Sequence, residues 1–251
     1  METNNGYRPQ SVEGKSILIT GGTTGIGRAT AIQLSELGAN VLIVGQNEQH
    51  LTEAMEDIKR GSKGSVYGIL ADLATEEGVD QVFSEVDNSL HGLNILINNA
   101  ALPFGSITEG NYKEWKRILD TNLLGYLACS NMAIERMKSN GEGHIVNIGS
   151  MSAEVREETS SLYVATKSAI EGFSASLRKQ INPEGIKITL IEPGAVDTDM
   201  QPEDTGTKKE HVANLEMLTA DDIAAAVLYC ISQPKRCDVV ELKIRPHLQL
   251  I

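Results

Sequence analysis

Tyr163 and Lys167 are the residues of this sequence whose types and spacing best support chemistry. They stand four positions apart in a stretch of helical periodicity, which places both side chains on one helix face. A neighbouring ammonium group lowers the pKa of a tyrosine from its ordinary value near ~10 because it favours the phenolate. Such a tyrosine can donate a proton to a carbonyl oxygen or withdraw one from an alcohol. Ser150 ends the preceding predicted strand and can hydrogen-bond the same oxygen. Taken alone, the Tyr and Lys pair is more typical of a solvated helix face.

Residues 17–27, Ile-Leu-Ile-Thr-Gly-Gly-Thr-Thr-Gly-Ile-Gly, could bind a phosphate. The branched apolar residues predict a buried strand, the glycines predict a tight turn, and residues 28–37 predict a helix that ends at Gly38. Such a turn lets a pyrophosphate approach bare backbone N–H groups, and the positive end of the helix dipole favours the negative charge. A glycine turn entering a helix also occurs as plain packing, so these residues alone leave both interpretations open.

The rest of the chain alternates short apolar runs with stretches of helical spacing. Further strands are predicted at residues 41–44, 65–70, 94–97, 143–148 and 188–191, and further helices at residues 48–60, 75–90, 112–138, 161–180 and 221–232. Strands separated by helices form parallel units with right-handed crossovers, so we predict an α/β fold, a doubly wound parallel sheet of the Rossmann type. Residues 240–245 alternate apolar and charged side chains, which predicts an edge strand with one wetter face.

No low-complexity linker divides the chain, so we predict a single domain at residues 14–251 after an N-terminal tail at residues 1–13. A substrate-loop insertion is predicted at about residues 194–218. Ligands of doubly wound sheets bind beyond the carboxyl ends of the strands. One ligand site is therefore predicted from the residues at those ends, which are residues 20–27, Asp72, Asn98, Asn99, Ser150, Pro193 and Gly194.

The composition is typical of a globular protein, since 41% of the 251 residues are hydrophobic and 22% are charged. The formal net charge of −12 disfavours nucleic acid and anionic membranes as partners, because both need a basic surface. Cys129, Cys230 and Cys237 form no Cys-x-x-Cys pair, which fits a reducing compartment. The histidines are scattered without ligand spacing, which disfavours a metal site. The N-terminus lacks the apolar core of a signal peptide, and no apolar run reaches the roughly 20 residues of a membrane helix, so we expect a cytoplasmic protein.

Together these motifs resemble the short-chain dehydrogenase/reductase family in its single-domain branch. The resemblance covers about residues 14–245, and it rests on residues 20–27, Asn98-Asn99-Ala100, Asn122, Ser150, Tyr163-x-x-x-Lys167 and Pro193-Gly194. Ser150 lies thirteen residues before Tyr163, as in that family. The C-terminal residues 239–246 are weakly similar to NADP-dependent 3-hydroxy acid and serine dehydrogenases.

The resemblance implies that the protein is an oxidoreductase that transfers a hydride between a nicotinamide cofactor and a carbonyl or secondary alcohol. Tyr163 would be the general acid/base, Ser150 would polarise the substrate oxygen, and Lys167 would hold the nicotinamide ribose and lower the tyrosine pKa. Asn122 would hold a water that relays protons through Lys167. The implied cofactor-binding residues are Gly21, Thr23, Thr24, Gly25, Ile26, Gly27, Gln46, Asp72, Leu73, Asn99, Ala100, Tyr163, Lys167, Val196 and Thr198.

Asp72, from this set, and Ala101, which follows Ala100, differ from the simple family pattern in what they imply. Asp72 matches a family position that contacts the adenine, but from the sequence it could equally cap the next helix. Ala101 departs from the family, which usually has glycine after Asn-Asn-Ala; its methyl group removes no hydrogen-bond donor.

The choice between NADP and NAD depends on the end of the second strand. NAD-binding relatives place a carboxylate there for the ribose hydroxyls, and this carboxylate repels a 2′-phosphate. Here the position is Gly45, followed by the neutral Gln46 rather than an arginine. We therefore expect NADP as the cofactor, with NAD as the alternative.

The substrate walls are predicted at residues 151–162 and in the loop after Pro193-Gly194. If Arg156 or Lys208 faced the pocket, a small carboxylated substrate would become plausible; otherwise these charged residues belong to a solvated lid. Two other functions use the same residues: a non-catalytic nucleotide-binding sensor, and an epimerase or dehydratase. The resemblance also implies a homotetramer or homodimer.

Overall fold

A computed structural model describes residues 8–201 and 204–249. Within these residues, seven parallel strands form one sheet in the order β3-β2-β1-β4-β5-β6-β7. The strands are β1 (Ser16–Thr20), β2 (Asn40–Gly45), β3 (Val66–Leu70), β4 (Ile95–Asn98), β5 (Gly143–Ile148), β6 (Ile186–Pro193) and β7 (Glu241–Ile244). The predicted doubly wound α/β fold is thus confirmed.

Helices connect the strands and cover both faces of the sheet. They are α1 (Gly25–Glu36), α2 (Glu48–Gly61), α3 (Glu76–Glu85), α4 (Tyr112–Leu119), α5 (Gly125–Asn140), α6 (Ser152–Val155), α7 (Ser161–Ile181), α8 (Thr205–Ala213) and α9 (Ala220–Ile231). Two π-helical turns, Val86–Leu90 and Asp120–Leu124, extend α3 and join α4 to α5, and a short 3-10 turn, Asn182–Glu184, follows α7.

The central strands are apolar throughout because both of their faces are buried. Alternate residues of β1 and β2 contribute to two cores: Ile17 and Ile43 to one, Leu18 and Leu42 to the other. The first core also contains residues of α1 and α9, and the second contains residues of α3 and α5. Cys230 and Cys129, one in each core, are buried, whereas Cys237 is exposed.

The predicted edge strand is confirmed at β7, which pairs with β6 and alternates exposed and half-buried side chains. Most of the predicted tail, residues 1–7, lies outside the described residues. Val12 is buried in the first core, and the Gln10 N–H donates to the Ser232 carbonyl at 2.7 Å. The predicted domain boundary at residue 14 stays a prediction.

The structure adds two helical features that the sequence does not predict. The helical stretch predicted at residues 112–138 is present, and the π-helical turn Asp120–Leu124 lies within it between α4 and α5. The loop insertion predicted at about residues 194–218 contains α8, which begins after Asp204 because this side chain accepts hydrogen bonds from the Gly206 and Thr207 N–H groups. Local capping therefore stabilises a helix whose sequence has no clear apolar periodicity.

Buried polar side chains tie the middle of the sheet to the helices. Asn98 Nδ2 donates to Asn147 Oδ1 and to Ser130 Oγ, both at 3.0 Å. Asn147 Nδ2 in turn donates to Ser174 Oγ at 2.9 Å. Buried amides are costly unless they are hydrogen-bonded, so this network fixes β4 and β5 against α5 and α7.

His144 provides a test of the packing between β5 and β6. Its Nε2 lies 2.8 Å from Thr189 Oγ1, and burial lowers its pKa to about 4, with Lys187 acting in the same direction and Asp238 opposing it. The unfolded chain thus takes up this proton at a higher pH than the folded chain. Stability contributed by neutral His144 is fully present above pH 6.5 and falls by about 3 kcal/mol as the pH drops to about 4.

We expect His144→Gln to remove this pH dependence of the free energy of unfolding, measured by urea denaturation from pH 7 to pH 4. Burial raises the pKa of Glu192 to about 7, so Glu192 makes the folded protein more stable as the pH falls, which is opposite to the effect of His144. Glu192 is present in both proteins, and its contribution is the same in each. The difference between the two curves therefore isolates His144. His247→Gln, at an exposed position, serves as the control; parallel wild-type and His144→Gln curves would contradict the prediction.

Candidate active site

The glycine turn between β1 and α1 approaches the end of β4 closely. Gly21 has a φ of +62°, and a Cβ there would lie 2.8 Å from the Ala100 Cα. A Cβ on Gly27 would lie 2.1 Å from the Gly21 carbonyl oxygen. Both positions therefore need glycine, the first for its backbone conformation and both for the absence of bulk.

Hydrogen bonds hold the turn against β4. Thr20 Oγ1 accepts from the N–H groups of Asn99, at 2.9 Å, and Ala100, at 3.1 Å. Asn99 Nδ2 donates back to the carbonyls of Thr20, at 3.1 Å, and Gly21, at 2.9 Å. The Asn99 side chain thus positions the turn, and the residue also lines both cavities described below.

The first turn of α1 fits a dinucleotide pyrophosphate. Its N-cap residue Thr24 makes no side-chain cap hydrogen bond to the described residues, and no acidic side chain occupies the first turn. By contrast, Asn47, Thr75 and Asn111 cap α2, α3 and α4 with their side chains. The N–H groups of α1 are therefore left for an anion, which the helix dipole also favours.

A cavity of about 250 Å³ lies beside this turn, at the carboxyl ends of β1, β2 and β3. Its lining includes most of the residues predicted to bind the cofactor: Gly21, Thr23, Thr24, Gly25, Ile26, Gln46, Leu73, Asn99, Ala100 and Thr198. Gly27 does not line it, because it packs beneath the turn. Asp72 does not line it either, because its carboxylate faces an arginine.

That arginine is Arg117 of α4. Its Nη1 donates to both oxygens of Asp72, at 2.7 and 2.6 Å, and its Nη2 donates to Gln46 Oε1 at 2.9 Å. Gln46 Nε2 completes the group by donating to Asp72 Oδ1 at 3.0 Å. Burial acts to raise the pKa of Asp72, but Arg117 and the Ala74 N–H hold it below its ordinary value. The alternative role of Asp72 as a helix cap is wrong, since Thr75 caps α3.

A second cavity, of about 410 Å³, contains three of the four residues predicted to do the chemistry. Ser150, Tyr163 and Lys167 line it, together with Val196 and Thr198. The two cavities share lining residues, so they form one cleft along the carboxyl edge of the sheet. The shared residues are Ile26, Asn99, Ala101, Thr198 and Met200.

Tyr163 lines this cavity beside Ser150 and Lys167, and its surroundings change its pKa. Burial raises the pKa of Tyr163 to about 12, a hydrogen bond with Ser150 acts to lower it, and the charge of Glu157 acts to raise it. The sequence expectation was that Lys167 lowers this pKa. The structure differs because Lys167 Nζ lies 5.6 Å from the centre of the tyrosine ring and donates its hydrogen bond elsewhere.

Lys167 is buried, and its Nζ donates to the Ile148 carbonyl at 2.9 Å. The Tyr126 hydroxyl donates to the same carbonyl at 3.1 Å, and the Tyr126 ring centre lies 5.5 Å from the Lys167 ammonium. Burial lowers the pKa of Lys167 to about 8. The ammonium can therefore exchange a proton near neutral pH.

Asn122 is buried within the π-helical turn and does not line either cavity among the described residues. Both ends of its side-chain amide bond to one neighbour: Oδ1 accepts from the Leu102 N–H at 2.7 Å, and Nδ2 donates to the Leu102 carbonyl at 2.8 Å. One amide N–H and one lone pair stay available for a water. These bonds hold the chain that follows β4 against the helix. π-Helical turns of this kind recur at functional sites.

Sequence reasoning missed one residue that lines the cleft, Gln249, and two that support lining residues, Arg117 and Tyr126. Arg117 and Asp72 are 45 positions apart, and no periodicity links them. Tyr126 is not predicted as a site residue because a tyrosine in a long apolar helix is usually a core residue. Gln249 lines the larger cavity, and its Oε1 accepts from the Ala195 N–H at 3.1 Å; the sequence around it contains no motif.

The parallel sheet, the glycine turn and the cleft at the carboxyl edge define a dinucleotide-binding enzyme of the α/β class. Residues 15–209 match the family model described as short chain dehydrogenase. An uncharacterized oxidoreductase of Staphylococcus epidermidis is 34% identical over 237 residues, which cover 94% of this chain and 98% of the relative.

Two solved structures are also similar. A short chain dehydrogenase of Burkholderia cenocepacia in complex with NADP is 29% identical, with a TM-score of 0.83, and the match covers 94% of this chain and 98% of that one. A dehydrogenase/reductase of Sinorhizobium meliloti is 29% identical, with a TM-score of 0.83, over 94% of this chain and 95% of that one. The chain belongs to the short-chain dehydrogenase family and is an NAD(P)-dependent oxidoreductase.

Among residues 8–201 and 204–249, no helix has both the length and the apolar character needed to cross a membrane. The same residues contain no cluster of three or more His, Cys, Asp or Glu side chains placed to hold a metal ion.

The close contact at Gly27 predicts the effect of one methyl group. We expect Gly27→Ala to lower the free energy of unfolding by about 1–3 kcal/mol through overpacking, and to weaken cofactor binding because the turn must move. Gly172→Ala is the matched control, since a Cβ at this exposed position in α7 meets no atom within 4 Å. It should raise stability by up to about 1 kcal/mol. Urea denaturation and calorimetric titration with NADPH measure both effects; an unchanged Gly27→Ala protein would contradict the contact.

Proposed function

We propose that the protein interconverts a carbonyl compound and its secondary alcohol using NADP(H), with Tyr163 as general acid/base. The observation that carries this proposal is the position of Ser150, Tyr163 and Lys167 in a cavity that adjoins the glycine-turn cavity. A dinucleotide that spans the cleft would place its phosphates at α1 and its reactive ring at Tyr163.

In the reductive direction the carbonyl carbon receives a hydride, the π electron pair moves to the oxygen, and this oxygen takes the proton of Tyr163. NADPH supplies the hydride when bound. Ser150 donates a hydrogen bond to the same oxygen and stabilises the charge that develops there. Lys167, with its lowered pKa, returns a proton to Tyr163, and we assign to Asn122 the water that connects Lys167 with solvent.

Tyr163→Phe tests this mechanism, because it removes the hydroxyl and keeps the ring. We expect the variant to bind NADPH as the wild type does and to lose about 10²- to 10⁴-fold in kcat, the usual contribution of a general acid. Consumption of NADPH is followed by absorbance with a panel of ketones and aldehydes. Tyr229→Phe, at an exposed position in α9, is the control. Equal turnover by wild type and Tyr163→Phe would exclude the proposed mechanism.

The end of β2 supports NADP over NAD. Gly45 offers no carboxylate for the ribose hydroxyls of NAD, and a Cβ there would lie 2.4 Å from Thr23 Cγ2, so a side chain at this position would have to displace Thr23. The nearest carboxylate on the adjacent strand end, Asp72, is neutralised by Arg117. Repulsion of a 2′-phosphate is therefore small. The NADP complex of the Burkholderia relative is in line with this preference.

Arg117 also supplies the positive charge that the sequence lacks at position 46. Its guanidinium donates to Gln46, which lines the cavity, and it is about one-third exposed. An arginine in this position can attract the 2′-phosphate directly as well as cancel the charge of Asp72.

Arg117→Gln should therefore weaken NADPH binding by about tenfold and leave NADH binding nearly unchanged, as calorimetric titration would show. Lys116→Gln removes a charge from the same helix, where Lys116 is paired with Asp120, and serves as the control. The double variant Asp72→Asn and Arg117→Gln separates the two effects, because it restores NADPH binding only if Arg117 acts by neutralising Asp72. An equal loss for NADH and NADPH in Arg117→Gln would refute the role in selectivity.

We further propose a homotetramer or homodimer in a reducing cytoplasmic compartment. Exposed Leu119 and Leu124 beside the π-helical turn, and the unpaired edge of β7 in the described chain, are surfaces that support assembly. The three free cysteines support the reducing compartment.

A further inference from the structure

One wall of the larger cavity carries several polar side chains. It is built from the segment between β5 and α7, from the loop after β6, and from Gln249 near the C-terminus. Its polar side chains are Ser152, Glu157, Thr159, Ser160, Gln201 and Gln249, and they stand beside the apolar Met151, Val155 and Met200. Hydroxyl and amide groups recognise uncharged polar substituents by hydrogen bonds, and the apolar residues suit a carbon chain.

The charges around this wall decide which substituents it accepts. Among the described residues that line the cavity, the cations are limited to Lys167, whose Nζ is buried and donates to the Ile148 carbonyl. Glu157 is the carboxylate of the same lining. A substrate carboxylate in this cavity would therefore meet a like charge and no free arginine or surface lysine.

The two cations that could have accepted a carboxylate are turned away. Lys208 Nζ donates to the Thr198 carbonyl at 2.9 Å and lies 3.2 Å from Asp197 Oδ1, so α8 uses it to hold the loop after β6. Arg156 follows α6 in a left-handed conformation, and its Nε donates to the Ala153 carbonyl at 3.3 Å. Neither residue lines the cavity. The sequence predicts a carboxylated substrate only if one of these two residues faces the pocket, so the structure does not support that substrate.

Glu157 is connected to the reacting groups through a short chain of hydrogen bonds. Its Oε1 accepts from Ser152 Oγ at 3.0 Å, and the Ser152 N–H donates to Ser150 Oγ at 3.1 Å. Ser150 and Tyr163 line the same cavity, and the charge of Glu157 acts on the pKa of Tyr163. The carboxylate thus lies close enough to the site of proton transfer to contact a substituent near the substrate carbonyl.

We propose that the cavity selects uncharged carbonyl compounds that carry a hydroxyl group near the carbonyl, with Glu157 accepting the substrate hydroxyl and rejecting a carboxylate at the same place. This inference rests on the proposed function and names its substrate class. The redox step is unchanged: the carbonyl is reduced to an alcohol, and NADPH is oxidised to NADP.

A matched pair of substrates tests the selection. 4-Hydroxy-2-butanone and 3-oxobutanoate share one carbon chain and one ketone position, and they differ in a terminal hydroxymethyl or carboxylate group. We expect the wild type to reduce the hydroxy ketone with at least tenfold higher kcat/KM. Glu157→Gln should lower the ratio of the two kcat/KM values by about fivefold, because it removes one like-charge contact with the substrate carboxylate in water-like surroundings. Glu158→Gln, an exposed neighbour that does not line the cavity, should leave the ratio unchanged.

The outcomes separate this inference from the proposed function. Failure of the folded wild type to reduce any carbonyl compound with NADPH would refute both. Reduction that prefers 3-oxobutanoate, or that is confined to compounds without a hydroxyl group, would overturn the substrate class and leave the reductase function standing. An equal ratio in wild type and Glu157→Gln would overturn the role of Glu157. If neither four-carbon ketone reacts, the same comparison is made with longer ketones, each paired as a terminal hydroxymethyl compound and the corresponding carboxylate. The outcomes are then interpreted in the same way.

Discussion

The site depends on the close approach of two neighbouring strand ends. The sheet order places β1 beside β4, and the chain leaves these strands toward different sides, so a crevice opens between them. Thr20 and Asn99 bridge this crevice with four hydrogen bonds, and the absent side chains of Gly21 and Gly27 allow the backbones to meet. A pyrophosphate-sized anion can then reach the N–H groups of α1 without displacing a side chain.

A single backbone carbonyl organises the reactive end of the cleft. Ile148, the last residue of β5, accepts hydrogen bonds from Lys167 and from Tyr126, which belong to two different helices. Because an unpaired ammonium in a buried position is costly, this carbonyl both permits the burial of Lys167 and sets the position of α7. Tyr163, one turn earlier on the same helix, is placed by the same contact. The asparagine network beneath β4 and β5 makes this arrangement rigid.

The fold and the main site motifs could be predicted because each is encoded locally. Apolar runs give strands, the glycine turn needs a particular backbone, and Tyr163 and Lys167 share a face by helical spacing alone. The ion pair of Asp72 with Arg117 could not be predicted, since it depends on how α4 lies against β3. The helix α8 was missed because its cap at Asp204 and the Lys208 contact stabilise it in place of apolar periodicity. The tyrosine pKa was predicted in the wrong direction because burial, a tertiary property, outweighs the charge four residues away.

Gln249 gives the C-terminal end of the described chain an unexpected importance. Its side chain is held by the Ala195 N–H, next to the end of β6, and the Leu248 N–H donates to the Leu215 carbonyl at 2.9 Å. Gln249 therefore forms part of the wall of the larger cavity, although it lies beyond the last strand of the sheet. Because Gln249 follows every strand in the sequence, the wall of this cavity joins parts of the chain that are far apart in sequence, whereas the dinucleotide half is built mainly from residues 21–102. A change at Gln249 therefore acts on the substrate side of the cleft and leaves the lining of the dinucleotide half as it is.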